Sequence, residues 1–144
     1  MSRSGNPCCG LSSDKTKPPY VVIIEDYEPL SRLLCEVFRY KGTRCFSIRS
    51  KTSAEHFLRQ VRPDLVVLDY QLIGGVGLEA AQIASEKNVP VIVTSGNRNI
   101  FERVHQAGYF YLMKPFTIAE LLDMASTALG QKLGSFEYPS SQLH

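Results

Sequence analysis

No stretch of this sequence approaches the ~20 consecutive apolar residues that a bilayer-spanning helix requires, and the first residues hold no apolar segment that would direct secretion. A cytoplasmic protein without membrane attachment is the expectation. Residue 2 is Ser rather than Gly, and no apolar segment precedes Cys8, so lipid anchoring has no support either. The four cysteines offer no metal framework. Cys8 and Cys9 are adjacent, Cys35 falls in a helical pattern and Cys45 in a strand, and no C-x-x-C pair or nearby histidine completes a site. They are expected to be reduced thiols. Strong net charge is absent as well: the formal +2 resides in residues 1–19, and the remainder of the chain is balanced, which excludes nucleic acid as the expected partner. One local imbalance survives, between residues 32 and 62, where eight basic residues face only Glu36 and Glu55. Solvated helix and strand edges account for it, and a docking surface for an acidic partner is the alternative.

What is present is 44% hydrophobic and 21% charged composition over 144 residues, which describes one folded unit. Residues 1–18, rich in Ser, Gly, Lys and Pro, are expected to form a flexible arm, and residues 134–144 a flexible tail. Between them, over 19–133, apolar runs of strand length alternate five times with helical patterns. Tyr20–Ile24 lacks polar alternation, so both faces of that strand are expected to be covered. The helix after it carries Leu30, Leu33, Leu34, Val37 and Phe38 on one face and stops at Gly42. A strand around Arg44–Ile48 precedes a helix bearing Ala54, Phe57, Leu58 and Val61. Leu65–Leu68 form the third strand, followed by a flexible loop at Gly74–Gly77 and a helix with Leu78, Ala81, Ile83 and Ala84. Val91–Thr94 and Tyr109–Met113 supply the last two strands, with a short helix from about Asn99 to Gly108 between them. The final helix opens at Thr117 and Glu120, which have capping-box spacing. Five strand-then-helix units predict an α/β fold, a doubly wound five-stranded parallel sheet with five helices.

In such a sheet, ligands bind at the carboxyl ends of the strands. Those ends carry Glu25 and Asp26 after the first strand, Asp69 after the third, Ser95 after the fourth and Lys114 after the fifth. Two like charges ~4 Å apart repel by about 4 kcal/mol at an effective dielectric of 20, so three gathered carboxylates require positive charge. Lys114 supplies part of it. A hard divalent ion with oxygen ligands, Mg²⁺ above all, suits the remainder.

The acidic pair in Ile24-Glu25-Asp26, Leu68-Asp69 with its acid 43 positions further on, Thr94-Ser95-Gly96 and Tyr111-Leu112-Met113-Lys114-Pro115-Phe116 together closely resemble the receiver domain of response regulators, across about residues 20–133. The resemblance implies a flavodoxin-like strand order 2-1-3-4-5, and it implies that Asp69 accepts a phosphoryl group from a sensor histidine kinase or a histidine phosphotransfer protein. It implies that Asp26, Asp69 and the carbonyl of Gln71 hold Mg²⁺ directly and Glu25 through water, that Lys114 and Ser95 contact the phosphoryl oxygens, and that Ser95 and Tyr111 form the switch. Lys114-Pro115 matches a bond that is cis in that family, aiming the ammonium into the site. Since about ten residues follow the last helix, the expectation is a single-domain regulator that binds a kinase and then a downstream target protein, with homodimerisation open. The basic segment includes the first helix, the family's kinase-docking element. The sequence departs from the usual pattern at the Gly74–Gly77 loop, at Ser95 where Thr is commoner, and at Tyr27.

A haloacid-dehalogenase-type aspartyl-phosphate phosphatase places a second Asp two residues after its nucleophile, where this chain has Gln71; a receiver-like module that binds partners without phosphorylation has no need of Asp26, Asp69 and Lys114. A flavodoxin-type electron carrier would show a Ser/Thr-rich phosphate loop, and none is present. His56, His105 and His144 fall away from the strand ends and are expected to carry no chemistry.

Overall fold

Val21, Val22, Ile23 and Ile24 are wholly buried, as an unbroken β-branched run predicts. They form one of the inner strands of a five-stranded parallel sheet in a computed structural model that describes residues 17–72 and 75–133. In chain order the elements are β1 (Tyr20–Ile24), α1 (Glu28–Tyr40), β2 (Arg44–Ile48), α2 (Lys51–Gln60), β3 (Leu65–Asp69), α3 (Leu78–Glu86), β4 (Val91–Ser95), α4 (Phe101–Gln106), β5 (Phe110–Met113) and α5 (Ile118–Leu129). A 3₁₀ turn over Arg98–Ile100 leads into α4. The sheet runs β2-β1-β3-β4-β5, the order that the resemblance implies. Most of the expected N-terminal arm and all of the expected tail lie outside the described residues. Among the described residues no helix is long and apolar enough to cross a membrane.

Alternation along the strands sorts the core into two layers. Val22, Ile24, Val66, Leu68, Val91 and Val93 pack with Ala54 and Leu58 of α2, Ala80, Ala81 and Ala84 of α3 and Val104 of α4. Val21, Ile23, Leu65, Val67 and Ile92 pack with Leu34, Cys35 and Phe38 of α1 and Leu121, Leu122 and Ala125 of α5. Both faces of the sheet are therefore covered by helices.

The ends of the helices follow local chemistry. At Thr117 both bonds of the capping box form, with the Thr117 hydroxyl accepting from the Glu120 amide at 3.0 Å and the Glu120 carboxylate accepting from the Thr117 amide at 2.8 Å. The helix ends at Gly130, which takes the left-handed conformation at φ 69°.

Two expectations need correction. Leu33 is not inward: it is 42% exposed, and α1 instead buries Ser31 and Cys35 beside Leu34, Val37 and Phe38. The Ser31 hydroxyl donates to the Glu28 carbonyl at 3.2 Å, which makes its burial inexpensive and lets the helix turn this stripe to the sheet. Gly74 of the expected Gly74–Gly77 loop lies outside the described residues, and Gly75–Val76 is not a loop but pairs with Gln71–Leu72 as a two-stranded antiparallel ribbon. Gly77 closes the ribbon. A Cβ there would lie 3.0 Å from both the Asp69 carbonyl oxygen and Leu68 Cδ1, and 3.1 Å from Leu72 Cδ1. Gly77→Ala is accordingly expected to cost about 1–2 kcal/mol, read as a lower urea midpoint at unchanged m-value.

Candidate functional site

Parallel register levels the carboxyl ends of the strands. Ile24 pairs with Leu68, Asp69 with Thr94 and Ser95 with Met113, so the residues after β1, at the end of β3 and β4, and after β5 reach one rim. There one carboxylate oxygen from each of Glu25, Asp26 and Asp69 can be chosen so that all lie within 4.8 Å of one another. Lys114 Nζ stands 3.0 Å from Glu25 Oε1 and 3.5 Å from Asp69 Oδ1. The four residues expected at the strand ends are thus brought together at one rim, and the Lys114–Pro115 bond is cis.

Glu25 is the most enclosed of the acids, at 3% exposure, with Asp69 at 8%. Its second oxygen, Oε2, accepts from the Tyr27 amide at 3.1 Å, which fixes the carboxylate with its other oxygen toward Lys114. Asp69 Oδ1 accepts from the Gln71 amide at 3.3 Å. Burial first, and then the Glu25 carboxylate, push the Asp69 carboxyl up to about 6 from an ordinary 3.8, while Lys114 and the Gln71 amide pull it down. The upward causes win. Three carboxylates face the Lys114 ammonium at this rim, and three oxygen donors of this kind fit a hard divalent cation.

Ser95, buried at the end of β4, has its Oγ accepting from the Asn97 amide at 2.9 Å, and its carbonyl accepts from the Lys114 amide at 2.8 Å. The hydroxyl hydrogen of Ser95 remains for another acceptor. Tyr111, half-buried on β5, donates to the Asn97 carbonyl at 3.0 Å and meets Phe101 edge-on at 5.5 Å. The segment from Ser95 to Asn97 is thus clasped from two sides.

The family model described as response regulator receiver domain matches residues 21–126. This chain belongs to the response-regulator receiver family. As a receiver domain of two-component signalling, it is similar to the transcriptional regulatory protein PdtaR of Mycobacterium tuberculosis strain ATCC 25618 / H37Rv, with 30% identity over 124 residues, 83% of this chain and 60% of that protein. The chain therefore spans less than two thirds of that relative's length. Among solved structures, a response regulator receiver protein from Burkholderia phymatum is 28% identical with a TM-score of 0.71, covering 78% of this chain and 96% of that one. The receiver domain of sensor histidine kinase PA1611 from Pseudomonas aeruginosa PAO1, solved with a magnesium ion in its active-site cleft, shares the fold at a TM-score of 0.70 and 24% identity, covering 79% of this chain and 99% of that one.

Some features of this receiver were not anticipated. Lys114 sits closer to Glu25 than to Asp69, so Glu25 orients the ammonium in addition to adding negative charge; the signal in the sequence was only its place beside Asp26. The contact of Gln71 with Asp69 runs through its amide. Charges of the basic segment are also committed within the chain: Arg32 pairs with Glu28 at 2.9 Å, Arg39 donates to the Cys45 carbonyl at 2.7 Å, Arg62 Nε donates to the Lys87 carbonyl at 2.9 Å, and Lys51 lies between Glu55 and Glu79. His56 and His105 are exposed and away from the rim; His105 stacks on Phe101 at 5.5 Å. His144 lies outside the described residues.

Proposed function

We propose that this receiver carries its signal as a phosphoryl group on Asp69, taken from the phosphohistidine of a sensor histidine kinase or histidine phosphotransfer protein in a Mg²⁺-dependent reaction. The observation that carries the reading is the single rim on which Lys114 bridges Glu25 and Asp69 while Asp26 closes the acidic cluster. Asp26 and Asp69, with the Gln71 carbonyl, are the direct metal ligands in this reading, and Glu25 acts through water. Bound there, Mg²⁺ would neutralise the carboxylates and screen the charge that spreads over the phosphoryl oxygens during transfer.

The remaining roles fall to the chain's own groups. An Asp69 oxygen attacks phosphorus in line as the bond to the histidine nitrogen breaks, giving an acyl phosphate and a free imidazole. Lys114, held by Glu25, directs its ammonium at the phosphoryl oxygens. Ser95 donates its unused hydrogen to the same oxygens. To reach them its side chain turns inward and releases the Asn97 amide, and Tyr111 then loses the Asn97 carbonyl and moves into the vacated space. The surface altered is α4, β5 and α5, and the consequence is a shifted population between two states. A downstream target protein reads that surface. The chain modifies only itself and works in the cytoplasm as a signalling protein, not as an enzyme with turnover. The magnesium held by the PA1611 receiver and the regulatory role in the name of PdtaR agree with this reading.

Intact-protein mass measurement after incubation with Mg²⁺ and acetyl phosphate tests it. The expected result is a gain of one phosphoryl group that chelator abolishes and that Asp69→Asn lacks. A gain retained in Asp69→Asn, or no gain at any Mg²⁺ concentration, would overturn the reading.

A further inference from the structure

Two cysteines with no part in the rim meet inside the domain. Cys35 lies on the buried face of α1 and Cys45 on β2, the strand at the edge of the sheet, and their Sγ atoms are 3.2 Å apart, with the Cys45 thiol donating to Cys35. Both are free thiols, at 4% and 7% exposure. A formed S–S bond is about 2.05 Å, so closure needs an approach of only about 1.2 Å. We propose that Cys35 and Cys45 are a peroxide-responsive dithiol, with Cys35 as nucleophile and Cys45 as resolving thiol, that closes to an intrachain disulfide between α1 and β2.

The assignment of roles comes from the surroundings. The hydrogen bond from Cys45, then the Arg39 guanidinium and the Ser47 hydroxyl, favour the thiolate of Cys35, and together they outweigh its burial. Cys45 is shifted the other way, because its proton is held in the bond to Cys35 and because it is buried. Arg39 is held beside Cys45 by its bond to the Cys45 carbonyl.

The chemistry balances with a hydroperoxide as oxidant. The Cys35 thiolate attacks one peroxide oxygen, the O–O bond breaks, and hydroxide leaves and takes up the proton that Cys35 had lost, giving sulfenic acid and water. Cys45 sulfur then attacks Cys35 Sγ, forming the S–S bond as the S–O bond breaks, and the departing oxygen takes the Cys45 proton as a second water. The two thiols lose two electrons and the peroxide gains them. Burial restricts the oxidant to a molecule as small as hydrogen peroxide and disfavours exchange with a bulky disulfide. This inference does not rest on phosphoryl transfer at Asp69.

The test is tryptic mapping of the unaltered full chain after a few-fold excess of hydrogen peroxide and alkylation. The expected product joins peptide 33–39 to peptide 45–49, is reversed by dithiothreitol, and raises Tm by roughly 5–10 °C because a short loop is closed in the unfolded chain. In a Cys45→Ser chain oxidation is expected to stop at Cys35 sulfenic acid, captured by a dimedone-type reagent, and in Cys35→Ser the Cys45 thiol is expected to stay unmodified. The proposal is overturned if wild-type Cys35 proceeds to sulfinic acid without the crosslink, if the bond forms only in denaturant, or if Cys8 or Cys9 is the principal partner of either cysteine.

Discussion

Metal-free protein carrying Asp69→Asn is expected to unfold about 5–10 °C above the wild type at neutral pH, a gain on the order of 1–3 kcal/mol. The folded chain holds the Asp69 carboxyl at about 6 against an ordinary 3.8, chiefly through burial and then through Glu25. The folded state therefore binds this proton more tightly than the unfolded state. Stability from that group is fully present below about pH 4 and is lost as pH rises through about 6. Asparagine carries no charge to bury and keeps an oxygen to accept from the Gln71 amide. The advantage of the variant should consequently disappear toward pH 4, which thermal unfolding of the two proteins across pH measures directly. Added Mg²⁺ should then raise the Tm of the wild type by more than that of the variant, since ligand binding to the folded state adds stability only where the ligand set is intact.

Lys114→Met is expected to act in the opposite sense. Removing the ammonium leaves Glu25 and Asp69, both nearly closed to solvent, without the cation that pairs them. Breaking such a pair from one side costs about 3 kcal/mol, because the partner charge stays buried. Asp69 loses a contribution that pulls its carboxyl down, so its titration should move above about 6. Combining Lys114→Met with Asp69→Asn is expected to be less destabilised than the two single effects predict, since the double variant has one fewer carboxylate to leave unpaired. In phosphoryl uptake from acetyl phosphate, the single variant should lose roughly 10²- to 10³-fold in rate, the scale for removing one charge-stabilising donor from a preorganised site. Urea unfolding of the four proteins and a single-turnover time course check both halves.

The two layers of the core were legible because strand alternation places Val22, Ile24, Val66 and Leu68 on one face and Val21, Ile23, Leu65 and Val67 on the other. The rim residues followed from the five strand–helix units, and the strand order from the resemblance carried by the motifs at the strand ends. The orientation of α1 was less legible. Five apolar residues cover more of a helix than the sheet can bury, and residue type alone does not show that Ser31, its hydroxyl satisfied by Glu28, goes inward while Leu33 goes out. The ribbon that pairs Gln71–Leu72 with Gly75–Val76 escaped because glycine-rich segments carry no periodic signal. Which acid holds Lys114 most closely depends on ångström-scale placement, and so does the meeting of Cys35 with Cys45, which follows from how α1 lies against the edge strand.

The central claim is that Asp69 itself becomes transiently esterified. Borohydride reduction of the phosphorylated protein converts an acyl phosphate to the corresponding alcohol, and peptide mapping then locates it. The account predicts homoserine in place of aspartate at position 69, dependent on Mg²⁺ and absent without phosphodonor. Homoserine at position 26, or phosphate stable to the treatment and mapped to Ser95, would contradict it.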